Sequence, residues 1–429
     1  MYFHAPIPLY IHATDHYNIS YINAQEYIYT QDVFHSLFLV FDGINSTSSL
    51  GLYFCLTNCF HTIQSKNRVP GDLRRVDSDG NFTKSELLQR AMKRGRKRIE
   101  RLNSMATLAA SNVDIDAPVH AGGGEFLMDL SIGTPPMPFS AILDTGSDLI
   151  WTQCQPCIHC INQQTPIFDP NESSSFSKLP CSSDLCKALP QSRRTSSNCE
   201  YLYQYDGGAG LVGLGRGQLS LVAQLDEPKF SYCLKSIDSK TSTLFMGSRA
   251  STTSGDSIIT TPLIKNPSPS LSSFYYISLK GISVGKTLLP IDSSAFEIKS
   301  DGSGGMIIDS GTALTYLEKS VFDLVKEEFS KQTQSPITQG PLEFCFTLPP
   351  GESFNFPTLT FHFEGQADLE LSPENYLIIR VENGLGCLAM GSSKSISMIF
   401  GNIMHHNMLV LYDLAQETLS FVPKHCTDD

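Results

Sequence analysis

The first 65 residues contain no lysine and no arginine. A secretory leader opens on basic residues and carries one apolar core, so this stretch does not read as one. Its apolar runs, Val33–Phe41 and Leu50–Phe60, are separated by Asp42. Both fall short of the roughly 18–20 residues that cross a bilayer as a helix, and no membrane partner is expected. No second methionine precedes Met92, so an internal start does not uncover a leader either. Residues 1–65 are expected to be an atypical extension from an altered first exon rather than a functional domain.

Other absences narrow the chemistry. Residues 102–429 hold 19 basic against 34 acidic residues, which argues against nucleic acid as a partner. Cys154, Cys157 and Cys160 lie close together, but Gln164 stands where a fourth cluster ligand would fall, and no second pair sits at zinc spacing. No metal and no cofactor is expected. Gly213, Gly215 and Gly217 lack the lysine and the strand–helix setting of a phosphate loop. His405-His406 reads as a surface pair.

What is present is a 429-residue chain, 41% apolar, long enough for two or three domains with sizeable cores. Lys66 to Arg101 is its one basic segment, with 12 basic and 5 acidic residues. Asn81 to Glu86 offers capping residues, and Leu87, Leu88, Met92, Ile99 and Leu102 can line one helix face. The run Lys93 to Arg98 reads as the solvated side of that helix. Small and polar residues dominate Ala106–Ala121, as in a linker. From Gly124 onward, short strands alternate with Gly/Pro turns, which predicts a mostly β fold. The best later helix is Ser320–Phe329.

One pattern occurs twice. Ala141-Ile142-Leu143-Asp144-Thr145-Gly146-Ser147 is matched by Met306-Ile307-Ile308-Asp309-Ser310-Gly311-Thr312, 165 residues on. An apolar run ending in Asp predicts a buried strand that delivers a carboxylate to a loop. The glycine lets that loop turn and brings backbone N–H groups to the carboxylate. Two such loops on facing lobes would make a carboxylate pair sharing one proton. Such a pair can take a proton from water while giving one to a substrate carbonyl.

These residues resemble the pepsin-like aspartic endopeptidases, from about Glu125 to the C-terminus. Ser131-Ile-Gly-Thr-Pro-Pro136, Cys154-Gln-Pro-Cys157-Ile-His-Cys160 and Ser231-Tyr-Cys-Leu234 are similar to the plant nepenthesin-type branch. The resemblance implies an all-β, bilobal fold and peptide-bond hydrolysis at acid pH by Asp144 and Asp309. It implies that Thr145 and Ser310 bond across the two loops and that Ser147 and Thr312 bond the outer carboxylate oxygens. Tyr205 would be the tyrosine of the flap over the cleft, with Trp151, the one tryptophan, beside it. Residues 66–120 would be the protein's own propeptide and linker, 121–228 the N-terminal lobe and 229–429 the C-terminal lobe. The implied setting is extracellular or vacuolar, as a monomer acting on polypeptides, with Asn171-Glu-Ser173 as a glycosylation acceptor.

The resemblance also exposes a shortfall. Each lobe has a second apolar element, Leu211-Val-Gly213 and Ile399-Phe-Gly401, expected to pass behind its aspartate loop. Asp144 to Gly213 is 69 residues and Asp309 to Gly401 is 92, although the first interval carries the cysteine-rich insertion. The chain runs from Tyr205 almost directly into Gly207-Gly208, so the flap's turn and return strand are expected to be missing, about 40–50 residues. The N-lobe is therefore expected to be truncated. Family-like pairing of the cysteines would give Cys154–Cys157, Cys181–Cys199, Cys233–Cys426 and Cys345–Cys387, leaving Cys160 and Cys186 without partners. Rival readings are a binding or inhibitor protein with impaired catalysis, and a non-functional truncated paralogue.

Overall fold

The structure, a computed structural model, describes most of a helix over residues 86–99 and the chain from 126 to 426 save short internal stretches, the longest being 156–162 and 203–209, together with five short strands upstream of residue 76. Strand is the commonest regular structure among the described residues, as the short apolar runs and frequent turns predict.

Phe126–Ile132 alternates buried and half-buried positions as far as Asp129, is buried from Leu130 to Ile132, and turns at Gly133, whose φ of +81° suits glycine. It returns as Met137–Asp144, antiparallel, with Ile132 opposite Met137. From Phe139 to Asp144 every residue of that strand is buried. The strand therefore has a core on both faces, which explains its unbroken apolar run.

Each lobe then repeats one arrangement. Gly210–Gly213 runs parallel to Met137–Asp144 with Gly213 opposite Asp144. Met398–Gly401 runs parallel to Met306–Asp309 with Gly401 opposite Asp309. The expected elements behind the two aspartate loops are thus both present, and in the same register.

A shared sheet joins the lobes. Lys229–Cys233 lies between Ser242–Met246 and Met408–Asp413, and the latter pairs with Thr418–Pro423. Gly71–Arg75, from the basic segment, bridges Ser242–Met246 and Phe126–Ile132. Aromatic side chains fill the sheet's underside: Phe230 stacks on Tyr412 at 4.3 Å, and Tyr275 meets Tyr412 edge-on at 4.8 Å.

The longest described helix is Lys319–Thr333, which extends the expected Ser320–Phe329 by a turn. It buries Val321, Phe322, Val325 and Phe329 and stops at Gln334, in the left-handed region. Upstream, Thr83 and Glu86 form a reciprocal capping box: the Glu86 N–H donates to Thr83 Oγ1 at 3.2 Å and the Thr83 N–H to Glu86 Oε2 at 2.8 Å.

The bridges Cys233–Cys426 and Cys345–Cys387 form as expected. Two other expectations are corrected. Cys154 is a buried thiol directed at the Thr152 carbonyl at 3.9 Å, not half of a Cys154–Cys157 bridge. It is fully buried, β-bridged to Phe168, and burial pushes the thiol's pKa well up. Cys186 is disulfide-bonded rather than partnerless. Cys157, Cys160 and Cys181 lie outside the described residues, as does the side chain of Cys199.

Candidate functional site

Asp144 and Asp309 end their strands at the junction of the lobes, and both are fully buried. Each carboxylate has the same two local donors. The Gly146 N–H donates to Asp144 Oδ1 at 2.9 Å and Ser147 Oγ to Oδ2 at 2.5 Å. The Gly311 N–H donates to Asp309 Oδ1 at 2.9 Å and Thr312 Oγ1 to Oδ2 at 2.6 Å. The turn dictates this: a carboxylate at the last strand position faces the N–H and hydroxyl two and three residues on.

The two loops also hold one another. The Thr145 N–H donates to Ser310 Oγ at 3.0 Å, and the Ser310 N–H donates to Thr145 Oγ1 at 2.9 Å. Ser310 Oγ donates to the Leu143 carbonyl at 3.0 Å, while Thr145 Oγ1 lies 3.4 Å from that of Ile308. The glycines allow the close approach. A Cβ on Gly146 would lie 2.9 Å from Asp309 Cγ, and one on Gly311 would lie 2.6 Å from Asp144 Oδ1. Each glycine thus faces the opposite carboxylate.

Burial pushes the Asp309 carboxyl up; Arg98 opposes the shift, and the neighbouring Asp144 charge adds to it. Without the arginine, two carboxyls so placed favour the state in which one is protonated.

Arg98 was not legible as a site residue. Its guanidinium lies between the two carboxylates, with Nη2 bonded to Asp144 Oδ1 and Nε 2.6 Å from Asp309 Oδ2. The run Lys93 to Arg98 is therefore not simply a solvated face, because Arg94 and Arg98 are buried. Leu88, Ala91, Arg94 and Arg98 recur at helical spacing and make one buried stripe. That spacing was the available signal. Leu88 and Ala91 pack with Leu271, Phe274, Leu314 and Tyr316 of the C-terminal lobe. Gly95 lets the helix approach, since a Cβ there would meet the Tyr316 hydroxyl at 2.7 Å.

Trp151 is buried on the strand Ile150–Thr152, which pairs with Gly210–Gly213. Tyr205 lies outside the described residues. His405 and His406 are not a surface pair: they are 0% and 4% exposed, packed between the Gly401 turn and the shared sheet. No helix among the described residues is long and apolar enough to cross a membrane.

Comparison with known proteins finds relatives over most of the chain. The family described as "Xylanase inhibitor N-terminal" matches residues 126–209 and 206–248, and "Xylanase inhibitor C-terminal" matches 274–423. The chain is 47% identical to aspartic proteinase nepenthesin-1 of Nepenthes gracilis over 398 residues, covering 82% of this chain and 89% of the relative. It is 43% identical to nepenthesin-2 of the same plant over 408 residues, covering 84% and 91%. The fold is similar to that of basic 7S globulin from soybean, with a TM-score of 0.54 at 18% identity, covering 71% of this chain and 95% of the globulin.

Proposed function

The chain belongs to the plant nepenthesin-type aspartic proteinases, and we propose that Asp144 and Asp309 are its catalytic pair, hydrolysing peptide bonds of polypeptides at acid pH. The observation that carries this is the matched setting of the two carboxylates: same strand end, same donors, loops cross-bonded, each facing the other's glycine. The aspartic-protease dyad is the type case of two such carboxyls sharing a proton. The ionised member takes a proton from water as the oxygen attacks the amide carbon, and the protonated member gives its proton to the carbonyl oxygen. Collapse of the tetrahedral carbon breaks the C–N bond as the nitrogen gains a proton. Ser147 and Thr312 hold the outer oxygens, so the inner pair faces water and substrate.

The proposal includes a propeptide over residues 66–120, with Arg98 as its clamp. An arginine stays protonated, so a guanidinium between the carboxylates favours both in their ionised state. That state has no proton to donate. Acid protonates the pair, weakens the clamp and frees the cleft. A family-like setting, extracellular or vacuolar and monomeric, belongs to this reading.

The proposal also includes low turnover in this chain as it stands, from loss of the flap beyond Tyr205. Two observations support it. The interval from Asp144 to Gly213 is 23 residues shorter than its C-lobe counterpart. The 398-position match to nepenthesin-1 spans 82% of 429 residues, or about 352, so about 46 positions face a gap in this chain. Without a flap the cleft holds substrate and excludes water less well. Hydrolysis of an unfolded protein across pH, with D144N and D309N beside the parent, tests the assignment; full turnover in either variant would sink it.

A further inference from the structure

Asp148 lies just beyond Asp144 on the same loop, and the mechanism above does not use it. Its carboxylate is held from two sides. Oδ1 accepts the Gly217 N–H at 2.9 Å, and Oδ2 accepts the Ser273 hydroxyl at 2.5 Å, from 125 positions on in the chain. The glycine run Gly213 to Gly217, which is no phosphate loop, makes room for this carboxylate. A Cβ on Gly213 would run into the Asp148 backbone, and one on Gly215 or Gly217 into its carboxylate.

Both ends of this contact lead to the aspartates. On one side, Leu214 and Gly215 of the glycine run donate their N–H groups to the carbonyls of Asp144 and Ser147, each at 2.8 Å. On the other, the carbonyl of Tyr275, close behind Ser273 in the chain, accepts the N–H of Ile308 at 3.0 Å, and Ile308 directly precedes Asp309. Tyr276 is the strand partner of Ile307. The same seam is closed at further points. The Arg216 N–H donates to the Ser273 carbonyl at 2.9 Å, and the Tyr275 hydroxyl to the Leu214 carbonyl at 2.7 Å. The Arg216 guanidinium lies over the Tyr275 ring at 5.7 Å and pairs with Glu417 at 2.5 Å.

The Thr145 and Ser310 cross-bonds join the two aspartate loops beside the carboxyls. Two bodies joined at one place still rotate about it. A second tie, set apart from the first, removes that freedom. We propose that Asp148 and Ser273 are positioning residues for the Asp144–Asp309 pair, forming a second tie that fixes the distance between the two carboxyls. Asp148 belongs to the aspartate loop itself, whereas Leu214 and Arg216 reach the seam from the run behind it. A carboxylate suits the task, because a hydrogen bond to an ionised acceptor is shorter and roughly twice as strong as a neutral one. Slack in this tie would let the loop of Asp144 and the strand of Asp309 drift apart, and small misplacements of reacting groups are costly.

This inference rests on the two aspartates being a coupled pair, so the test reads the pair without requiring turnover. Full-length protein labelled with carbon-13 at the aspartate carboxyls, carrying Arg98→Met to remove the clamp, is titrated alone and with Ser273→Ala, Ser273→Thr, Asp148→Ala, or Asp148→Ala and Ser273→Ala together. Ser273→Ala leaves every charge in place, so it reaches the pair only by changing its geometry. It is expected to bring the pair's two pKa values closer by about half a unit, about three-fold in proton affinity, because coupling weakens with distance. Ser273→Thr keeps the hydroxyl and is expected to leave the separation as in the parent. Ser273→Ala should add nothing once Asp148 is alanine, since the hydroxyl acts through that carboxylate. If Asp148→Ala does not fold, Ser273→Ala against Ser273→Thr decides alone. A separation unchanged by Ser273→Ala, even with a lowered urea midpoint, overturns the inference and leaves the catalytic reading standing. So does an equal change in Ser273→Thr, or in both Asp148 backgrounds. Independent titration of Asp144 and Asp309 in the Arg98→Met parent would overturn the catalytic reading and the tie with it.

Discussion

Arg98 Nε lies 2.6 Å from Asp309 Oδ2 while Nη2 of the same guanidinium bonds Asp144. One side chain from the upstream helix thus contacts both carboxylates. Buried charges are costly unless paired, and this arrangement pairs all three.

Replacing Arg98 by methionine is expected to loosen the helix at neutral pH. Breaking a buried ion pair costs about 3 kcal/mol. Arg98 favours the ionised form of Asp309, so its removal raises that carboxyl's pKa further. In the parent, the clamp holds above the pair's titration and is lost as pH falls through it. Cleavage of the linker at 106–121 by an added protease, followed against pH, checks this. The parent should be cut only in acid and R98M also at neutral pH; identical pH profiles would refute the clamp.

Gly146→Ala and Gly311→Ala should each destabilise the protein by about 1–3 kcal/mol, because a methyl would press on the opposite carboxylate. Urea melts measure the loss. Unchanged midpoints in both variants would mean that the loops stand farther apart than described.

His405 adds an acid dependence of its own. Its folded pKa is depressed to about 3 from an ordinary 6.5, so the unfolded chain binds the proton more readily. Stability from this residue is full above about pH 6.5 and declines as pH falls toward 3. Melts of the parent and H405N over that range should differ in slope, with H405N flatter. Parallel slopes would show that the ring is not held neutral.

Much of this site was legible in the sequence because its chemistry is local. Asp144, Gly146 and Ser147 sit within one turn, and so do Asp309, Gly311 and Thr312; the apolar runs ahead of them mark buried strands. The cross-loop partners Thr145 and Ser310 came from family resemblance, and the geometry agrees. Arg98 was hidden because a run of basic residues looks solvated until its helical phase with Leu88 and Ala91 is followed. His405 was misread as exposed because the packing that buries it comes from Tyr232 and Phe400, the former over 170 positions away in the chain. Cys154 was misassigned because pairing depends on how a buried loop packs, which spacing does not encode.

Restoring a family-like hairpin after Asp206 is expected to raise turnover of an unfolded protein in acid by at least about ten-fold, since enclosure of substrate orients attack and excludes water. Equal turnover of the two chains would show that the flap is dispensable.

The most direct test compares acid hydrolysis of an unfolded protein by the hairpin-restored chain and by its D144N and D309N variants. Two carboxyls acting as one unit predict that either substitution alone lowers turnover by at least about a thousand-fold. Turnover within about ten-fold of the parent in either variant would contradict the shared-proton pair.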